Sequence, residues 1–125
     1  MIAPPIAVRR LKKRREFLYV AKGRKAVQRG VVIQARRRDG NPHCSIGFTA
    51  SKKVGNAVLR NRAKRRLRET ARLLLPLHGE PGFDYVFIAR AATPDREWPK
   101  LMKDVESALV SLKPGEPGDR AEKKA

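Results

Sequence analysis

The chain has 125 residues, a length typical of one domain with a modest hydrophobic core. It carries 30 basic and 12 acidic residues, so its formal net charge of +18 at pH 7 favours a polyanionic partner such as nucleic acid. No apolar run approaches the roughly 18 residues of a membrane span, and the single cysteine, Cys44, excludes an internal disulfide framework. We therefore expect a cytoplasmic protein with no membrane partner.

The N-terminal region combines prolines with a dense run of positive charges. Residues 1–8 contain Pro4 and Pro5 and are expected to be flexible. The basic run Arg9–Arg15 follows, and the apolar Leu11 and Leu18 predict a short helix that ends near Gly23. The alternative is a disordered basic tail. In the helical interpretation, the cations that form an additional basic helix for RNA contact are Arg9, Lys12, Lys13 and Arg14.

Four later segments have the patterns of strands. Lys25–Gly30 is ambiguous and compatible with a brief edge strand, whereas Val31–Ala35 and His43–Ser51 are strand-like. Because a basic turn with Gly, Asn and Pro separates the last two, they are predicted to form a hairpin. Asp84–Arg90 is nearly continuously apolar, which predicts a central strand covered on both faces.

The longest predicted helix runs from about Asn56 to Leu75, because no Gly or Pro interrupts it before Pro76. Gly55 permits a tight turn and Asn56 is a good N-cap. At about 100° per residue, one side is mainly apolar and faces a core. That stripe consists of Ala63, Leu67, Thr70, Ala71 and Leu74. The opposite side, suited to phosphate groups, consists of Asn61, Arg62, Arg65, Arg68 and Arg72.

The C-terminal part predicts one more helix and a tail. Apolar residues from Trp98 to Leu112 recur at helical spacing. Residues 113–125 mix Pro, Gly and charges and are predicted to be disordered. The elements therefore follow the order helix, two or three strands, helix, strand, helix, which predicts a single α+β domain.

Catalytic residues are not evident in the sequence. A protein nuclease usually needs clustered carboxylates for Mg²⁺ or a histidine with a partner. The acidic residues are scattered, and His43 and His78 stand in or beside predicted loops. We therefore expect neither a catalytic site nor a metal site in the protein itself, and a self-sufficient protein nuclease is disfavoured.

The stretch SKKVGNAVLRNRAKRRLRE, residues 51–69, closely resembles the signature of the bacterial ribonuclease P protein component. Its centre is the Arg60-Asn61-Arg62 element, and the resemblance covers roughly residues 9–112. It implies one domain over those residues, in the order αβββαβα. It also implies a four-stranded sheet and a left-handed β-α-β crossover around the long helix.

The resemblance implies a subunit of ribonuclease P that binds a catalytic RNA and the 5′ leader of precursor tRNA. In the family, the RNA and Mg²⁺ cleave the leader endonucleolytically and leave the mature tRNA 5′ end. The protein is then expected to hold no cofactor and to bind the RNA as a monomer, with one protein per RNA. The predicted contacts to catalytic RNA are Lys52, Lys53, Asn56, Arg60, Asn61, Arg62, Lys64, Arg65 and Arg68.

The resemblance also implies a cleft for the leader, between the first helix and the sheet. The matching positions here are Phe17, Val32, Gln34, Thr49 and Ser51. Ala21 and Gln34 stand where aromatic residues are common in the family, which favours a polar groove that reads the RNA backbone. For Phe17, the alternative is an ordinary core residue. For the whole protein, the alternative is a small basic ribosomal protein or another structural RNA-binding protein.

Overall fold

The computed structural model describes residues 8–40 and 42–114. The helices and strands are, in chain order, β1 (Val8–Arg10), α1 (Arg14–Ala21), β2 (Arg24–Val27), β3 (Val31–Arg37), β4 (Cys44–Thr49), α2 (Ala57–His78), β5 (Phe83–Ala89) and α3 (Trp98–Ser111). A 3₁₀ turn at Lys52–Val54 joins β4 to α2. The predicted flexible N-terminus lies outside the described residues except for Val8, which belongs to β1. The predicted tail lies outside them except for residues 113 and 114.

The strands form one five-stranded sheet in the order β1-β4-β5-β3-β2. Strand β5 is central, parallel to β4 and antiparallel to β3. Helix α2 therefore connects two parallel neighbours, as in a β-α-β unit; the left-handed crossover stays a prediction. The α+β class is confirmed. The fifth strand arises because the three-residue β1 pairs with the start of β4, from Val8 beside Cys44 to Arg10 beside Ile46.

The predicted hairpin of β3 and β4 is wrong, because β5 lies between these two strands. Their connection crosses the beginning of β5, where the Arg38 amide donates to the Gly82 carbonyl (2.8 Å) and the Gly82 amide donates to the His43 carbonyl (3.0 Å). A nearly continuous apolar strand is most stable in the sheet interior, with partners on both edges. The actual hairpin joins β2 and β3, and the edge strand in the ambiguous segment is confirmed at Arg24–Val27.

The two faces of the sheet pack against different helices. The larger hydrophobic core lies on the face that carries Ile33, Ile46 and Phe87, together with buried residues of α2 and α3. A smaller cluster of Leu11, Val20 and Val86 lies under α1 on the other face. We call this second face the α1 side of the sheet.

Helix α1 begins at Arg14, so the predicted helix over Arg9–Arg15 starts too early. Arg9 and Arg10 belong to β1, and Lys13 is the N-cap. The carboxylate of Glu16 accepts hydrogen bonds from the backbone amides of Lys12 (2.8 Å) and Lys13 (2.9 Å). These bonds satisfy amides that the first helical turn leaves free, and they fix the start of α1.

Helix α2 confirms the predicted phase. All five stripe residues from Ala63 to Leu74 are buried, and the five residues assigned to the opposite side are exposed. The Asn56 side chain accepts a hydrogen bond from the Leu59 amide (3.0 Å), which confirms the N-cap. The predicted end is wrong by about a turn, because the helix continues through Pro76 to His78. Pro76 has no N–H to donate to the carbonyl of Arg72, so the end of the helix lacks one intrahelical hydrogen bond.

Within residues 8–40 and 42–114, no helix combines the length and the apolar character that crossing a membrane requires.

Candidate nucleic-acid interface

The outer side of α2 presents a row of guanidinium groups to solvent. Arg62, Arg65 and Arg68 are exposed, and Asn61 is exposed beside them. The buried stripe on the opposite side holds this row in place against the core. An array of arginines on a rigid helix suits the phosphates of a folded RNA, because each planar fork can bind two oxygens.

The turn before α2 is built by residues that were predicted to bind RNA. Gly55 adopts φ 141°, a conformation that favours glycine, and its carbonyl accepts a hydrogen bond from Arg60 Nη1 (2.9 Å). Asn56 caps the helix, as described above. Asn56 and Arg60 thus have structural roles in this turn, while Lys52 and Lys53 project from it and are exposed. Lys64 is half-buried on the flank of the helix.

Arg66 of α2 has a role that the sequence pattern did not predict. It donates hydrogen bonds to the carbonyls of Thr93 (2.6 Å), Pro94 (2.9 Å) and Arg96 (2.5 Å). It also lies over the Trp98 ring, 5.7 Å from its centroid. Burial lowers the pKa of Arg66, and the nearby charge of Arg62 adds to this effect. Arg66 therefore fastens α2 to the segment before α3.

A neighbouring acid contacts the exposed arginine row. Asp95 Oδ1 lies 3.7 Å from Arg62 Nη2, and both side chains are largely exposed. Such a pair contributes little to stability because solvent screens it. This weak pair leaves the Arg62 guanidinium accessible to another anion.

The open part of the α1 side is a row of side chains across the sheet. Strand pairing places Val27 beside Val32, Val32 beside Ile88, and Ile88 beside Thr49. Gln34 lies on the same face as Val32, one step further along β3, beside Lys25 of β2. We call Val27, Val32, Ile88 and Thr49 the open row. Three of the predicted cleft residues, Val32, Gln34 and Thr49, are thus brought together and are half-buried.

Phe17 packs over β4 beside the open row rather than within it. Its half-buried ring packs against Gly47 of β4, where a Cβ atom would lie 2.5 Å from Phe17 Cε2 and Cζ. The smaller cluster of Leu11, Val20 and Val86 supports the ring from below. Ser51 lies apart from the floor: it caps the 3₁₀ turn, where its Oγ accepts from the Lys53 amide (3.2 Å).

Sequence reasoning missed Ile88 and Val27 as cleft residues. Ile88 is half-buried, and 53% of Val27 is exposed. The apolar run of β5 suggested burial on both faces, but α1 covers only part of the α1 side. The available signal was the period of two along β5, which places Ile88 on the same face as Val86.

The N-terminal cations cluster, although Arg14 is the only one of the four predicted residues that belongs to a helix. Arg9, Lys12 and Lys13 line a concavity of about 250 Å³ together with Arg10 and Glu16. Arg14 is exposed at the start of α1. The backbone amides of Lys13 and Lys12 lower the pKa of Glu16, so this carboxylate stays charged within the basic cluster.

Residues 8–40 and 42–114 contain no group of three or more His, Cys, Asp or Glu placed to hold a metal ion. Cys44 is buried, and desolvation, reinforced by Asp84 and Glu80, raises the pKa of its thiol to about 12. Cys44 is therefore a packed thiol.

The sequence model of the family described as Ribonuclease P matches residues 7–113. The chain belongs to the ribonuclease P protein family. The ribonuclease P protein component of Caulobacter vibrioides is 60% identical over 105 residues, covering 82% of this chain and 70% of the relative. That of Ruegeria pomeroyi is 50% identical over 105 residues, covering 82% and 84%.

Solved structures of the family have the same fold. The Staphylococcus aureus RNase P protein is 31% identical, with a TM-score of 0.71 and coverage of 83% of this chain and 94% of that one. The Thermotoga maritima RNase P protein is 25% identical, with a TM-score of 0.72 and coverage of 84% and 98%. Membership of the ribonuclease P family supports a component of an RNA-processing enzyme with an RNA partner, and not the alternative of a ribosomal protein.

Proposed function

We propose that this protein binds the catalytic RNA of ribonuclease P through α2 and the 5′ leader of precursor tRNA through the α1 side of the sheet. The observation that carries this proposal is the separation of two unlike surfaces. The arginine row faces outward from α2, on one side of the sheet. The open row and Phe17 lie on the other side.

The chemistry of each surface favours a different form of RNA. The arginine row consists of closely spaced cations on a helix, which match the phosphates of a folded RNA. The open row is a shallow floor of apolar and small polar side chains beside one aromatic ring. An extended single strand fits such a floor, because its bases can pack against it while lysines at the rim contact its backbone.

The composition of the cleft favours contacts with the RNA backbone over strong base stacking. Ala21 is exposed and Gln34 is half-buried, so neither supplies a second ring beside Phe17. Lys52 and Lys53 follow β4 and lie beyond Thr49, at the junction between the cleft and α2. We expect these lysines to contact phosphates near the place where the leader meets the catalytic RNA.

The catalytic RNA, with Mg²⁺, carries out the phosphodiester cleavage in this proposal, and the protein holds no cofactor. Its excess of positive charge lowers the repulsion between two RNAs that must approach each other. The mature 5′ end of tRNA is the product. We expect one protein per RNA, in the cytoplasm.

A cleavage assay at low Mg²⁺ tests the proposal. Protein and catalytic RNA together should cleave precursor tRNA, while the protein alone should not. Replacing Arg62, Arg65 and Arg68 by Ala should weaken binding of the catalytic RNA and reduce the log–log salt slope by roughly 0.7–0.9 per lost phosphate contact. An unchanged salt slope would show that the arginine row does not contact the catalytic RNA. Cleavage by the protein alone would contradict the assignment of phosphodiester cleavage to the RNA.

A further inference from the structure

Helix α1 is short and shallowly embedded, so few contacts determine where it lies. It has eight residues, and Val20 is its one buried residue. Phe17, the fourth residue of the helix, rests on Gly47 of β4. Tyr19, two residues later, contacts β3, which lies two strands from β4 in the sheet.

Tyr19 is held by three contacts to two adjacent residues of β3. Its hydroxyl donates a hydrogen bond to the Arg37 carbonyl (2.5 Å). Arg36 Nη1 donates to the Tyr19 carbonyl (3.1 Å). The Arg36 guanidinium also lies over the Tyr19 ring, with its carbon 4.0 Å from the ring centroid. We call these contacts the Tyr19–Arg36 clamp.

The clamp lies away from the open row. Arg36 is four residues from Val32 along β3, a separation of about 13 Å in an extended strand. It pairs with Asp84 at the other end of β5 from Ile88. A nucleotide on the open row therefore does not have to touch Tyr19, yet Tyr19 determines where α1 crosses the sheet.

We propose that Tyr19, through its clamp with Arg36, is the positioning residue that holds Phe17 at the wall of the leader cleft. The inference rests on the proposed leader-binding function. Phe17 and Tyr19, two residues apart in α1, attach the helix to strands on either side of β5. Without the clamp, α1 keeps the contact of Phe17 with Gly47 but loses the contacts that hold Tyr19 against β3. The cleft then has to be ordered when the leader binds, which lowers affinity without removing any contact with RNA.

Conservative substitutions separate the clamp from the fold. Tyr19→Phe removes the hydrogen bond to the Arg37 carbonyl and keeps the ring under Arg36. Arg36→Lys keeps the charge and removes the planar fork that stacks on Tyr19. Leu18→Ala is the matched control, because Leu18 is an exposed neighbour on α1.

The first measurement is the ratio of holoenzyme affinities for precursor and mature tRNA. Tyr19→Phe should reduce this ratio by about 2- to 10-fold, the range expected for one lost hydrogen bond. The double variant should lose less than the product of the two single losses, because both residues act as one unit. Affinity for the catalytic RNA should change by less than about twofold, the scatter expected for a surface that the substitutions do not touch.

The second measurement is hydrogen exchange of the α1 amides in the holoenzyme, which reports the clamp independently of tRNA. Exchange should be faster in both single variants and unchanged in Leu18→Ala. Wild-type exchange in Tyr19→Phe and Arg36→Lys would overturn the clamp.

A Phe17→Ala holoenzyme separates failure of the inference from failure of the proposed function. If Phe17→Ala reduces the affinity ratio and the clamp variants do not, Tyr19 does not position the cleft. If Phe17→Ala also leaves the ratio unchanged, the leader site itself is misplaced and the positioning role is rejected with it. Equal weakening of both tRNAs by Tyr19→Phe would make Tyr19 a general scaffold residue and would also overturn the inference.

Discussion

The guanidinium of Arg66 donates a 2.6 Å hydrogen bond to the carbonyl oxygen of Thr93, across the gap between α2 and the segment before α3. Its neighbour Arg65 is exposed on the outer side of the same helix. Two adjacent arginines in the most basic stretch of the chain thus have different roles. Arg66 secures the fold, and Arg65 faces the proposed RNA.

This difference predicts opposite outcomes for two alanine variants. Arg66→Ala should lower the free energy of unfolding by about 1–3 kcal/mol, because three carbonyl oxygens lose a charged donor. Its salt slope for catalytic RNA should stay near the wild-type value. Arg65→Ala should barely change stability but should reduce that slope by about 0.7–0.9. Urea denaturation and salt-dependent RNA titration measure the two effects, and a reversed pattern would exchange the two roles.

Leu67 tests whether the phase of α2 carries the stability of the core. It is fully buried at 0% exposure, so Leu67→Ala should cost about 2–5 kcal/mol in unfolding free energy. Val58→Ala is the control on the same helix, because 74% of Val58 is exposed and its truncation should cost far less. A loss below about 1 kcal/mol for Leu67→Ala in urea denaturation would contradict the packing described here.

A substitution at Gly47 tests whether the position of the Phe17 ring on β4 affects tRNA binding. A methyl group at this position would lie 2.5 Å from two ring atoms, so Gly47→Ala should push the ring off β4. We expect a lower affinity of the holoenzyme for precursor tRNA relative to mature tRNA, with catalytic RNA binding retained. Identical tRNA discrimination in Gly47→Ala and wild type would show that the ring position does not matter.

The helical features were predictable where the signal is local. The phase and the N-cap of α2 follow from residues close together in sequence, and Asn56 and Leu67 lie where that pattern places them. Arg66 was not distinguishable from Arg65, because only the folded position of the Thr93–Arg96 segment gives Arg66 its carbonyl partners. Charge alone does not reveal such a partner.

The sheet was less predictable because its pairing is long-range. β5 separates β3 from β4, and no local pattern in either strand reports this insertion. Arg9 and Arg10 were predicted to begin a basic helix, whereas pairing with β4 makes them part of the three-residue strand β1. Ile88 was assigned to a covered strand, since the extent of α1 over the sheet depends on tertiary contacts such as the one between Tyr19 and Arg37.

The most direct test of the account compares Phe17→Ala with wild type in two titrations: the holoenzyme with tRNA carrying or lacking the leader, and the protein with catalytic RNA. We predict that Phe17→Ala weakens binding of precursor tRNA but not of mature tRNA, toward the low end of about 1–3 kcal/mol because Ala21 and Gln34 add no second ring. Affinity for the catalytic RNA should be nearly unchanged. Equal weakening of both tRNAs would make Phe17 a core residue and would contradict the placement of the leader cleft.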